Sequence, residues 1–142
     1  MRLQKNTWLA LYSVLESASA PVRHIPAAEI ADKYGVSAHH LAKVLSELGR
    51  AGVVESVRGA GGGYRFIGNA RRLTLMDIIV LFEDFDPPAA RPRAPGEPTP
   101  VGSALGTVLS EVDENAKATF SSITLATMLR LIARASPGKR KK

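Results

Sequence analysis

Apolar side chains recur along this chain at helical spacing, and each run closes on a glycine, a proline or a hydroxyl residue. Trp8, Leu11, Tyr12 and Leu15 predict a first helix over about Thr7 to Ser17, with Trp8 in its core stripe. Pro21 and Pro26 interrupt helix formation, and Pro26 suits the first turn of a second helix. That helix carries the stripe Ala27, Ile30, Ala31 and Tyr34 and ends at Gly35 as a C-cap. Ser37 opens a third helix as its N-cap. Leu41, Val44, Leu45 and Leu48 form its buried stripe, and Gly52 closes it. The period then changes. "VVESV" and "GYRFI" read as two strands joined by a glycine run, hence a β-hairpin. "LTLMDIIVLFEDF" returns to helix, with Thr74 and Asp77 spaced as a capping box and Leu75, Ile78, Ile79 and Phe82 as the apolar face.

The second half is organised differently. "DPPAARPRAPGEPTP" holds six prolines in fifteen residues and reads as an extended link. Beyond it, Val101, Leu105, Val108, Val112 and Ala116 mark one side of a long helix. "SSITLATMLRLIARA" predicts a short closing helix capped by Thr124, and "SPGKRKK" a disordered end. There is no internal repeat. The expected division is 1–86, 87–100 as the link, 101–135 for the long and closing helices, and 136–142 as a basic tail.

Composition narrows the chemistry. The chain has 142 residues, enough for one domain with an appended arm, and no cysteine. Disulfides, cysteine-ligated iron–sulfur clusters and cysteine nucleophiles are therefore excluded. No signal-peptide pattern and no apolar run of roughly 18 residues is present, so the expectation is a soluble cytoplasmic protein with no membrane partner. The net charge is +6, and it is unevenly placed: residues 1–72 hold ten Lys/Arg against five Asp/Glu, whereas residues 73–138 hold five against eight. A basic front half points to a polyanionic partner.

Two helices joined through "YGVS" make a helix-turn-helix, and the hairpin that follows makes it winged. The third helix shows His39, His40, Lys43, Glu47 and Arg50 on the side away from its leucines. Such a helix fits the major groove of double-stranded DNA, and Ser37 at its N-terminus is placed to meet a phosphate. In "VRGAGGGYRF", Arg58 stands at the base of the loop and Arg65 on the return strand, where a thin wing can carry an arginine into a minor groove.

These residues carry a resemblance. Met1 to about Phe85 resembles the Rrf-two family of bacterial winged-helix transcription regulators, the group that contains the iron–sulfur cluster regulator, the nitric-oxide-sensing repressor and the cysteine-metabolism repressor. The likeness rests on "MRL", on "EIADKYGVSAHHLAKVLSELGRAGVVESVRGAGGGY" and on "LTLMDII". Arg58 to Tyr64 fits the family's wing signature R-G-x-x-G-G-Y at every fixed position. The resemblance implies a mainly α fold, a winged helix-turn-helix with a long C-terminal dimerisation helix. It implies a homodimeric repressor on a palindromic operator, with Val101, Leu105, Val108 and Val112 as the dimer stripe. The family's base-contacting positions fall on Ser37, His39, His40 and Lys43, its wing arginine on Arg58 beside Gly59, and its backbone-contacting arginine on Arg2. His39, His40 and Lys43 differ from the residues of well-known members. Cluster-binding members carry three cysteines before the long helix; here that region is the proline-rich link. The resemblance thus implies a cluster-free branch with no cofactor, responding to a small molecule or a protein partner.

Competing chemistries lack their residues. The glycine run has no GxxxxGK[ST] pattern and no helix directly after it, so it is not a nucleotide loop. His39 and His40 are adjacent on a helix and diverge, and the third histidine is His24, which leaves no metal-ligand set. Glu83, Asp84 and Asp86 have no nucleophile or acid–base partner and read as a solvated helix end, so no enzyme is expected. A winged helix that docks on a protein instead of DNA is the alternative, but such a face should be apolar at its centre.

Overall fold

The computed structural model describes residues 2–83 and 95–136. Its order is α1 (Lys5–Ser19), α2 (Ala27–Tyr34), α3 (Ala38–Arg50), β1 (Val54–Val57), β2 (Gly63–Phe66), α4 (Leu75–Ile79), α5 (Pro100–Ser122) and α6 (Leu125–Ala135). The two strands pair antiparallel, from Val54 opposite Phe66 to Val57 opposite Gly63.

One core joins the helices. Leu41, Val44, Leu45 and Leu48 of α3 are all buried, as their spacing predicts, against Leu9, Ala10 and Val14 of α1, Ile30 and Ala31 of α2, and Ile78 and Ile79 of α4. Leu125 at the start of α6 is fully buried in the same cluster. Backbone bonds from Leu75 N to Ile123 O (2.9 Å) and from Leu125 N to Leu73 O (2.8 Å) tie α4 to the α5–α6 junction.

Four expectations need correction. Trp8 is not in the core: it is 47% exposed. The buried side of α1 runs instead through the small residues Thr7, Ala10, Ser13 and Ser17, together with Leu9, Leu11 and Val14. Small side chains let neighbouring helices approach closely, which displaces the bulky Trp8–Tyr12–Leu15 row to the flank. α1 is also longer than its apolar spacing suggests, reaching Lys5 and Ser19. α4 is shorter, five residues, because the chain tightens after Val80 into the bonds Leu81 N to Ile78 O and Phe82 N to Ile79 O. The β-branched run Ile78-Ile79-Val80 favours continued helix poorly. Pro100, assigned to the link, is the first residue of α5, where its fixed φ fits and its missing N–H costs nothing. Asp84, Asp86, the link up to 94 and the tail from 137 lie outside the described residues.

The capping box of α4 is present: Thr74 Oγ1 accepts from Asp77 N (3.2 Å), and Asp77 Oδ2 accepts from Thr74 N (2.9 Å). Thr74→Ala removes the first of these bonds and is expected to cost about 1 kcal/mol, read as a lower urea midpoint at unchanged slope.

Candidate nucleic-acid interface

Local backbone chemistry sets the α2–α3 turn. Gly35 adopts φ 67°, the left-handed conformation that ends α2. Ser37 then caps α3, its side chain accepting from His40 N at 3.2 Å. The first turn of α3 therefore begins at an exposed serine with further N–H groups unpaired along the helix axis, a favourable place for an anion.

Beyond the cap, His39, Lys43, Glu47 and Arg50 are exposed on the face opposite the buried leucines, and His40 is half-buried. The His40 ring bonds to Asn6 Oδ1 of α1 at 2.7 Å (Nε2). Arg50 pairs with Glu47 one turn earlier. A shallow groove of about 530 Å³ runs here, lined by Asn6, His40, Lys43, Glu47, Arg50 and Leu81.

The wing is fastened to the body rather than projecting freely. Tyr64 exchanges both backbone bonds with Ile25, each at 2.8 Å. Gly62 N bonds back to Gly59 O at 2.9 Å and tightens the loop. Arg58 and Gly59 are exposed at its edge. Arg65 is placed differently: it stands opposite Glu55 and gives that carboxylate bonds from Nε (3.1 Å) and Nη2 (2.7 Å). The pair is half-exposed, so it orients the guanidinium while contributing about 0–1 kcal/mol. Arg2, Lys43 and Arg58, by contrast, are exposed and make no ion pair among the described residues.

The structure thus places Ser37 at the N-cap of α3, His39, His40 and Lys43 in the first two turns of that helix, and Arg58 and Gly59 on the wing. Asn6 escaped the sequence reading, because its link to His40 spans 34 positions and no local pattern encodes it. Glu83, expected in a solvated helix end, is instead engaged: it accepts from Gln4 N and Thr7 Oγ1, both at 2.6 Å, at the start of α1. Val101, Leu105, Val108 and Val112 lie exposed along α5, a helix with no buried residue.

A family model, Rrf2, described as an iron-dependent transcriptional regulator, matches residues 3–131. The chain belongs to the Rrf2 family. It is 49% identical over 132 residues to the helix-turn-helix-type transcriptional regulator BadM of Rhodopseudomonas palustris, covering 93% of this chain and 83% of that protein. It is also 42% identical over 84 residues to the protein aau3 of Rhizobium meliloti, covering 59% of this chain and 54% of that one. Among solved structures, IscR of T. potens superposes with a TM-score of 0.74 at 24% identity, covering 100% of this chain and 93% of that one. CymR, the global cysteine regulator of B. subtilis, superposes with a TM-score of 0.72 at 24% identity, covering 92% and 98%. These two show that the fold is the winged helix of Rrf2 regulators.

The iron in the family's description has no matching thiolate donors in this Rrf2 protein. Cysteine-ligated clusters need thiolates, and the sequence has none. No group of three or more His, Cys, Asp or Glu among the described residues could hold a metal ion. No helix among them is long and apolar enough to cross a membrane.

Proposed function

We propose that this Rrf2-family regulator is a homodimeric, sequence-specific repressor that binds a palindromic operator in double-stranded DNA and acts in the cytoplasm without a cysteine-ligated cluster. α3 enters the major groove, where His39, His40 and Lys43 meet base edges and Ser37 meets a phosphate. The wing lies on the minor groove with Arg58 and Gly59, Arg65 supports it from the return strand, and Arg2 meets the backbone. The observation that carries this reading is that exposed cations on three separate segments, Lys43 on α3, Arg58 on the wing and Arg2 ahead of α1, make no ion pair among the described residues. Unpaired cations on separate elements suit separate phosphates and grooves, and they make affinity fall steeply with salt. A protein-docking role is not favoured, because the exposed face of α3 is charged rather than apolar.

A nuclease footprint on the DNA upstream of the protein's own gene, at two salt concentrations, tests the proposal. Two protected half-sites about one helical turn apart, fading at higher salt, are expected. No protection at either salt would count against it. On the operator so defined, Arg58→Ala is expected to weaken binding by about 1–3 kcal/mol in an anisotropy titration. Lys43→Ala should change which bases are preferred; an equal loss on every sequence would make Lys43 a phosphate contact.

A further inference from the structure

Between the start of α1, the α2–α3 turn and the end of α5 lies a second cavity, of about 730 Å³. Four aromatic residues line it: Trp8, Tyr12, Tyr34 and Phe120. Tyr12 and Tyr34 are stacked, with centroids 4.4 Å apart and planes within 4°, and Trp8 leans on Tyr12 at 5.8 Å. An indole left 47% exposed beside such a stack is unfilled apolar surface.

Among the described residues, the charge lining this cavity is of one sign. Its two ionisable cations, Arg2 and Lys5, are exposed and make no ion pair among the described residues. No carboxylate lines it among the described residues. Glu16 lies beyond the tyrosine stack, lining a separate cavity, and is engaged there by the Tyr34 hydroxyl and by Lys33 at 2.6 Å. Burial first, and the bond to Glu16 second, hold the Tyr34 phenol above its ordinary pKa, so that ring stays neutral. Glu83, a further carboxylate near α1, is occupied by Gln4 and Thr7.

An aromatic floor whose described rim is charged only by cations selects one ligand chemistry. We infer that this cavity is an effector site for a small organic anion with a planar aromatic body, whose ring packs on Trp8 and Tyr12 and whose acid group pairs with Arg2 and Lys5. Its link to regulation rests on the DNA-binding reading above. Arg2 serves both the cavity and the DNA backbone, and Tyr34 and Val36 of the cavity wall belong to the turn that sets α3. A bound anion draws Arg2 from DNA and lowers operator affinity, and by linkage operator DNA weakens the anion.

Trp8 is the single tryptophan, so the full-length protein shows one indole N–H signal by NMR. Naphthalene-2-sulfonate is titrated against it without DNA, beside the neutral naphthalene-2-sulfonamide. A saturable shift with the sulfonate is expected, with affinity falling about tenfold in Lys5→Gln and in Arg2→Gln. Equal response to the sulfonamide, indifference to both substitutions, or no shift would each overturn the site. An indole already shielded from solvent in the free protein would assign the cavity to a second copy and overturn it as well. Because this titration contains no DNA, its failure is distinct from a failed footprint. If the sulfonate binds but leaves the operator affinity unchanged, the coupling through Arg2 is wrong.

Discussion

Leu105→Asp is expected to convert the proposed homodimer to a monomer and to cut operator affinity by about 100-fold or more. α5 is 23 residues long, about 35 Å at 1.5 Å per residue, and none of them is buried. Val101 is 70% exposed, Leu105 and Val108 are 59% exposed, and Val112 is 48% exposed. Their spacing of four, three and four is that of a seam between two helices. An apolar stripe of this length on a helix that its own chain leaves uncovered is what a partner helix would bury. In a two-fold dimer the interface is isologous, so one substitution places two unpaired carboxylates in the seam. Each buried charge without a partner costs several kcal/mol, more than one lost leucine contact. The fold of each protomer should survive, because Leu105 lies outside the core cluster. Sedimentation equilibrium and circular dichroism separate the effects: a monomer with unchanged helix content is expected. A Leu105→Asp protein that stays dimeric and binds the operator like wild type would place the interface elsewhere.

The parts of this molecule legible in the sequence are those fixed by local chemistry. The α3 stripe, the Ser37 cap, the left-handed Gly35 and the Thr74–Asp77 box each depend on residues within one or two turns, and all are present. Periodicity places Trp8 in the core because it ranks side chains by bulk and hydrophobicity, yet Trp8 is exposed. Which face of α1 turns inward is decided by how closely α3, α4 and α6 approach, and close approach favours Ala10, Ser13 and Ser17. Ser37, His39, His40, Lys43 and Arg58 are candidates by sequence position alone, whereas His40's bond to Asn6 and Arg65's engagement by Glu55 depend on tertiary placement and strand register. The aromatic cavity shows the same limit: Trp8, Tyr34 and Phe120 are far apart in sequence and meet only in the folded chain.

Gly63→Ala is expected to unseat the wing, lower stability by about 2–4 kcal/mol and weaken operator binding more than Gly61→Ala does. The contrast isolates docking from flexibility. Both glycines have positive φ, 76° at Gly61 and 148° at Gly63, so each substitution strains the backbone. A Cβ at Gly61 would meet nothing within 4 Å, whereas one at Gly63 would sit 2.5 Å from the Ile25 carbonyl carbon and 2.7 Å from Pro26 N. Those atoms are backbone and cannot swing aside as a flexible side chain would. The Ile25–Tyr64 pairing that holds the hairpin against the body must then open, releasing the strand beside Arg58 and detaching the segment that leads into α2. Gly62 is constrained in the same way, since a Cβ there would lie 2.2 Å from Val57 O. The last two glycines of the wing signature therefore answer to close backbone approach, not to loop mobility. Gly61→Ala should cost about 1 kcal/mol from φ strain alone. Urea midpoints and operator titrations of the two variants give the comparison, and equal losses in both would mean that the docking at Ile25 does not position the wing.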